Sequence, residues 1–179
     1  MQQDWTDLPV RWTKENSLHI TLVFIGYASQ EQMLEICRIT KEAGKKHQSF
    51  EIKLNKILYG PPARHASQVA GVAGGPVHTP RMIWVEGEKS LALAKLKDDL
   101  ENSLLQSNSS VFKREVRAFS PHITLARIRQ WDWQKLEEQP KIEQDIDLVF
   151  PVQSIEVMES RLLRSGAEYI ALESVALGE

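Results

Sequence analysis

The feature that most constrains the fold is a tetrapeptide that occurs twice. His-Ile-Thr-Leu spans residues 19–22 and returns at residues 122–125, 103 positions later in a chain of 179 residues. Both copies lie in runs rich in β-branched and aromatic side chains, which predicts strands over Leu18–Ile25 and Phe119–Ile128. Because residues two apart on a strand share a face, each copy presents a histidine and a threonine together and turns two apolar side chains toward a core.

The polar residues of the two copies form a set suited to phosphate chemistry. Histidine titrates near neutral pH, so His19 and His122 can act as acid and base if they face each other. The hydroxyls of Thr21 and Thr124 can donate hydrogen bonds to an anionic oxygen. A single strand histidine is more often a partly buried, hydrogen-bonded residue than a catalyst. The repetition with the same threonine offset favours catalysis by in-line displacement at phosphorus, without a metal.

The other patterns predict a few helices and many strands. Ser29 and Gln32 form a capping box before a helix that ends at Gly44, and Ser90 precedes leucines at helical spacing. Alternating apolar residues predict further strands at Ser49–Tyr59, Arg81–Glu86, Ile146–Phe150, Gln153–Glu159 and Glu168–Val175. This order favours an α+β domain of antiparallel sheets over a βαβ unit, and there is no glycine-rich loop for a nucleotide cofactor.

Composition narrows the class of protein. A chain of this length fits one domain or two small lobes, and no apolar run approaches the length of a membrane span. The single cysteine, Cys37, excludes an internal disulfide and agrees with a reducing cytoplasm. Because His47, His65 and His78 lack the spacing of metal ligands, we expect no metal and no cofactor.

Charge is distributed unevenly around the second copy. The net charge of the chain is −2, but residues 111–130 carry five cations and one anion, and residues 131–179 carry eleven acids and four bases. The basic segment flanks the place where a phosphate would bind, although a solvated face of mixed charge is the alternative. Arg127 and Arg129 can add charge there. Strict alternation turns Arg127 away from the His122 face, so its contribution requires a twist or a bulge.

Two further stretches remain open to more than one interpretation. Residues 60–80 hold four of the nine glycines and four of the eight prolines, which predicts a long loop that includes Arg64, His65 and His78. It is either a lid that contacts RNA or a tolerated surface insertion. Trp131-Asp132-Trp133 either stacks on a base or packs against the domain edge.

The paired His-x-Thr motifs resemble those of the two-histidine (2H) phosphoesterase superfamily. The stretches RWTKENSLHITL (residues 11–22) and FSPHITLAR (residues 119–127) are similar to the two motif regions of bacterial and archaeal RNA 2′,3′-cyclic phosphodiesterases, formerly called 2′-5′ RNA ligases. IEVMESRL (residues 155–162), followed by Tyr169, resembles their C-terminal strands. The resemblance extends over most of the chain, from about Arg11 to about Leu177.

The resemblance implies a bilobal fold in which two antiparallel β-sheets surround a central cleft, with helices on the outside and one motif on each sheet. The expected division is a first lobe around residues 18–59, a flexible insertion at residues 60–80 and a second lobe around residues 81–179, with the lobes interleaved. Relatives usually carry a strand and a helix before the first motif, and no such strand is visible here. A missing strand would leave an edge open to pairing with another chain.

The resemblance also implies an activity, namely hydrolysis of RNA 2′,3′-cyclic phosphate ends to 2′-phosphomonoesters. His19 would be the proton donor and His122 the proton acceptor, Thr21 and Thr124 would hold phosphate oxygens, and Arg127 is a further candidate for phosphate binding. Expected partners are RNA 3′ ends or small 2′,3′-cyclic nucleotides, with no membrane, and the family is monomeric. The alternatives are ATP-independent joining of tRNA halves through a 2′-5′ bond, another small cyclic phosphate as substrate, and an RNA-end-binding protein without turnover.

Overall fold

The structure, a computed structural model, describes residues 5, 7–61, 79–107, 112–114, 118–163 and 166–178. The strands in these ranges are β1 (Val10–Trp12), β2 (Phe50–Gly60), β3 (Met82–Gly87), β4 (His122–Ile128), β5 (Gln144–Val152), β6 (Ser154–Leu163) and β7 (Gly166–Ala176). The helices are α1 (Gln30–Gly44), α2 (Leu91–Gln106) and α3 (Gln130–Trp133), with a 3₁₀ turn at Glu15–Ser17. The prediction of an α+β class with antiparallel sheets is confirmed.

The chain forms two compact units, each assembled from three segments. The first unit consists of Met1–Ile20, Leu54–Glu86 and His122–Asp147, and the second consists of Thr21–Lys53, Gly87–Pro121 and Leu148–Glu179. Both motif histidines belong to the first unit. The division into lobes at residues 18–59 and 81–179 stays a prediction.

A five-stranded sheet in the order β1-β4-β3-β2-β5 carries the second copy of the tetrapeptide in β4. β4 is antiparallel to β3 on one side and to β1 on the other. The buried side chains of Ile83, Ala126 and Ile142 form the core of the first unit, and Val10 and Leu125 pack against them. This apolar face fixes which side of β4 is left for polar residues.

The predicted strand over Leu18–Ile25 is wrong, because only Ile20 is paired, through an isolated antiparallel bridge to Ile123. Leu22 and Val23 are consecutive, yet both pack against the apolar core of the second unit. Their burial therefore comes from packing against that core instead of from the alternating faces of a ladder. Gly26 then turns the chain with a φ of 86°, a conformation that glycine adopts without a steric cost.

The structure also contains an element that the sequence did not predict. β1 has only three residues, which pair with Ala126–Ile128 of β4. A strand of three residues is too short to show a recognisable alternation of apolar and polar side chains. It forms because its backbone pairs with β4. Further along the chain, β5 extends through Pro151 to Val152, past the predicted end of this strand at Phe150.

The second unit is built from α1, α2 and the β6–β7 hairpin. The buried side chains at its centre are Ala43, Leu96, Leu100, Ile155, Val175 and Leu177. The predicted capping box is present, since Ser29 accepts a hydrogen bond from the backbone of Gln32 and the Gln32 side chain accepts one from the backbone of Ser29. Ser90 caps α2 through the backbone N–H of Leu93, as predicted.

Two other sequence features of the chain have structural outcomes. Cys37 is half-buried on α1, and burial, followed by the nearby Glu173 carboxylate, raises the pKa of its thiol. The loop at residues 60–80 with Arg64, His65 and His78 lies almost wholly outside the described residues. In the described ranges, the helices are too short or too polar to cross a bilayer.

Candidate active site

β4 presents one polar face, and a β-bulge extends that face to Arg127. The register of β3 against β4 pairs Glu86 with His122 and Trp84 with Thr124, and then shifts by one residue so that Met82 pairs with Arg127. The extra residue on β4 is Leu125 (partner residues jump from Thr124 to Ala126). Directly opposed residues share a face, and Met82, Trp84 and Glu86 alternate along β3. His122, Thr124 and Arg127 therefore lie on the same face, and the bulge that the Arg127 prediction required is present.

The ring of His122 is held by an aromatic stack. Trp84 and His122 have ring centroids 3.8 Å apart and an interplanar angle of 23°. The indole of Trp84 is buried, and a Cβ added to Gly60 would overlap its ring. Glycine at position 60 thus lets the backbone of β2 approach one side of the indole closely. Gly60, Trp84 and His122 form a connected set that restricts how the imidazole can turn.

The isolated bridge between Ile20 and Ile123 brings the first copy beside the second. In an antiparallel pair at this register, the residue before Ile20 lies opposite the residue after Ile123. His19 therefore lies opposite Thr124. Ile20 and Ile123 share the other face, so His19 is on the same side of the sheet as His122.

The imidazole of His19 is oriented by a backbone carbonyl. Its Nδ1 is 2.8 Å from the carbonyl oxygen of Ser17. Because a carbonyl only accepts, Nδ1 carries the proton in this bond. The 3₁₀ turn at Glu15–Ser17, in which Ser17 is buried, supplies that carbonyl.

The two motif threonines differ in their surroundings. Thr124 is half-buried on β4, and its hydroxyl lies 3.9 Å from the sulfur of Met82. Thr21 is exposed and is the first residue of the second unit. The structure thus brings His19, His122 and Thr124 together, and the place of Thr21 beside them stays a prediction.

The other cations and aromatic residues near the second copy separate into distinct roles. Arg129 forms an ion pair with Asp132, with Nε and Oδ2 3.4 Å apart, so its charge is partly neutralised.

Trp133 is buried and packs edge-on against Tyr59, with centroids 5.3 Å apart, as the packing interpretation predicted. Burial raises the pKa of Tyr59 to about 12, and its hydroxyl donates to the carbonyl of Pro140. Trp131 is exposed beside Lys135.

Sequence reasoning missed several residues of this face. Trp84 and Glu86 lie on it because of the β3–β4 register, and Arg11 lies on it because β1 pairs Arg11 with Arg127. None of these residues belongs to either copy of His-Ile-Thr-Leu, although Arg11 begins the stretch that resembles the first motif region, and only a knowledge of strand pairing could have placed them on this face. In the described parts of the chain, no group of three or more histidine, cysteine, aspartate or glutamate side chains is arranged to hold a metal ion.

Comparison with known proteins identifies relatives of this chain. The family profile described as the 2′-5′ RNA ligase superfamily matches residues 11–162. The chain is 30% identical to the RNA 2′,3′-cyclic phosphodiesterase of Aeropyrum pernix over 176 residues, which cover 95% of this chain and 88% of the relative. It is 26% identical to the protein of the same name from Aquifex aeolicus over 173 residues, covering 94% and 82%. The crystal structure of E. coli LigT complexed with 3′-AMP superposes with a TM-score of 0.67 at 21% identity, covering 96% of this chain and 83% of that one.

Proposed function

Since the chain belongs to the 2′-5′ RNA ligase superfamily, we propose that it hydrolyses 2′,3′-cyclic phosphate ends of RNA to 2′-phosphomonoesters by two-histidine acid–base catalysis. The observation that carries the proposal is the bridge between Ile20 and Ile123. That bridge supports a site in which the two histidines act on one phosphate from the same face of a strand pair. The name shared by the relatives from A. pernix and A. aeolicus supports the same substrate class.

In the proposed reaction, a water molecule attacks the phosphorus of the cyclic phosphate while the bond from phosphorus to O3′ breaks. His122 accepts the proton of the attacking water, and His19 donates a proton to the departing O3′. Atoms and charge then balance, with a 2′-phosphate and a 3′-hydroxyl as products. The bond from His19 Nδ1 to the Ser17 carbonyl supports Nε2 as the atom that delivers the proton.

The threonines and the aromatic stack have supporting roles in this scheme. Thr21 and Thr124 donate hydrogen bonds to the non-bridging phosphate oxygens. These hydrogen bonds stabilise the negative charge on the oxygens in the transition state. Trp84 is a positioning residue that acts through the ring of His122. The complex of E. coli LigT with 3′-AMP supports a nucleotide as ligand. The single cysteine agrees with the reducing cytoplasm as the proposed location.

The experiment that tests the proposal is turnover of a short RNA with a 2′,3′-cyclic phosphate end in the presence of EDTA. Wild-type protein should convert the cyclic end to a 2′-phosphate. His19→Ala and His122→Ala should each lower the rate by about 10²- to 10⁴-fold, the usual contribution of a general acid or base. His47→Gln is the matched control, because His47 is bound to Asp99 in the second unit.

Other outcomes of the same experiment separate the alternatives. Joining of the cyclic end to a 5′-hydroxyl RNA would identify ligation as the activity. Folded wild-type protein that binds the RNA without changing its end would contradict the enzyme proposal and support an RNA-end-binding protein. Equal rates for wild type and both histidine variants would contradict the mechanism.

A further inference from the structure

A pair of arginines lies on the face that carries His122 and Thr124. The register of β1 against β4 places Arg11 directly opposite Arg127. The bulge at Leu125 turns Arg127 onto the same face as His122 and Thr124, and the cross-strand pairing puts Arg11 there as well. Both side chains are exposed. The two arginines are thus cross-strand neighbours at the end of the proposed active-site face.

This pairing is unfavourable unless an anion neutralises it. Like charges directly opposite each other on neighbouring strands destabilise a sheet. Within the part of the chain that the structure describes, neither the Arg11 nor the Arg127 side chain has a hydrogen-bond or ion-pair partner. Arg129, two residues further along, is in contrast paired with Asp132. The described residues therefore supply no opposite charge to either arginine.

The position of the pair along the strand indicates which anion it binds. The β3 partners of Thr124 and Arg127 are Trp84 and Met82, which are two residues apart, so the bulge leaves roughly 7 Å between the two positions at a strand rise of about 3.3 Å per residue. The proposed cyclic phosphate is held near His122 and Thr124, and the arginines lie beyond them along β4, on the side where the next phosphate of the same chain can bind. Arginine is well suited to this role because its planar group binds two phosphate oxygens at once.

We propose that Arg11 and Arg127 form a subsite for the phosphodiester that joins the terminal nucleotide to the one before it. The inference rests on the proposed function and makes it narrower. The preferred substrate is an oligonucleotide with a 2′,3′-cyclic phosphate end, and a cyclic mononucleotide leaves the subsite empty. The bulge at Leu125 turns Arg127 toward the RNA.

The test compares adenosine 2′,3′-cyclic phosphate with the dinucleotide ApA that ends in a 2′,3′-cyclic phosphate. The measured quantity is the ratio of kcat/KM for the dinucleotide to kcat/KM for the mononucleotide. Arg11→Gln should lower this ratio about tenfold, mainly through KM of the dinucleotide, since it removes a charge-assisted hydrogen bond to the phosphodiester. Arg11→Lys, which keeps the charge, should restore part of the ratio.

Arg81→Gln is the matched control for this test. Arg81 is also an exposed arginine at the end of a strand, but its carbonyl accepts from the backbone of Ile128, so it lies opposite Ile128, on the other face from Arg127. It should keep the wild-type ratio. A salt titration adds a second readout, because loss of one phosphate contact reduces the slope of log affinity against log salt by about one.

The failure of this inference can be distinguished from failure of the proposed function. A wild-type ratio in Arg11→Gln would overturn the subsite, and an equal loss on both substrates would assign Arg11 to the reacting phosphate instead. If wild type turns over neither substrate, binding of fluorescent ApA 2′-phosphate still decides the matter. Weaker binding by Arg11→Gln than by Arg81→Gln would support the subsite, and equal binding would refute it.

Discussion

The second copy of His-Ile-Thr-Leu lies in β4, which is paired with β3 along most of its length and with β1 over its last residues, whereas the first copy is paired at Ile20 alone. Their histidines are held by different means. His122 stacks on the buried Trp84, and His19 donates a hydrogen bond to the Ser17 carbonyl. Two identical tetrapeptides thus have their histidines oriented by different contacts, an aromatic ring in one copy and a backbone carbonyl in the other. Perturbing the sheet should therefore affect His122 more than His19.

Apart from the two histidines, the largest effect is expected from Gly60→Ala. A Cβ at this position overlaps the indole of Trp84, which stacks on His122. Overpacking of this kind costs about 1–3 kcal/mol of stability, and displacement of a catalytic ring by about 1 Å can cost up to about 100-fold in rate. We expect kcat to fall by about 10- to 100-fold, measured on a cyclic mononucleotide below the unfolding temperature.

Gly44→Ala is the control for that variant. Its Cβ would overlap Val175 in the second unit, so it carries a comparable packing cost at a position that belongs to the other unit. It should lower Tm by several degrees, about 2–4 °C per kcal/mol for a chain of this size, with little change in kcat. Equal losses of kcat in the two glycine variants would show that the stack does not orient His122.

A smaller effect is expected from removing the motif hydroxyls one at a time. Thr124→Val and Thr21→Val are nearly isosteric changes, and each should lower kcat about tenfold if its hydroxyl donates to a phosphate oxygen. Thr→Ser at each position keeps the donor and is the matched control. If kcat falls in Thr124→Val and not in Thr21→Val, the two copies are not equivalent, and Thr21 has no role in phosphate binding.

The smallest effect is expected from Trp84→Phe. Among the described residues, the buried indole N–H of Trp84 has no hydrogen-bond partner, so phenylalanine loses only ring area and packing. A smaller ring still stacks on His122, and aromatic pairs contribute about 0.5–1.5 kcal/mol beyond burial. We expect kcat to fall about threefold, whereas Trp84→Ala should resemble Gly60→Ala. An unchanged kcat in Trp84→Ala would contradict a positioning role.

Local signals predicted the helices well and the pairing of strands poorly. The caps at Ser29 and Ser90 and the leucine spacing of α2 are properties of adjacent residues, which is why α1 and α2 were found. A ladder depends on residues far apart in the chain. Leu18–Ile25 has the composition of a strand, but Leu22, Val23 and Ile25 pack against the apolar clusters of the second unit. β1 has too few residues to give a pattern.

The same distinction applies to the candidate site. The repeated motif identified His19, His122, Thr21 and Thr124 from local sequence alone. Trp84 and Arg11 join that face only through the registers of β3 and β1, which no spacing within either segment reveals. The Arg127 prediction depended on a bulge, and bulges arise from the balance between two paired strands rather than from one.

The most direct test of the central claim, that the two histidines act as one acid–base pair, is a double-mutant cycle. The rate on an RNA 2′,3′-cyclic phosphate end would be measured with EDTA for wild type, His19→Ala, His122→Ala and the double variant. We predict that each single variant loses about 10²- to 10⁴-fold and that the double variant loses little more than the worse single one, because groups that act as a unit are not additive. A double variant whose rate loss equals the product of the two single losses would contradict the account. So would near-normal turnover in either single variant.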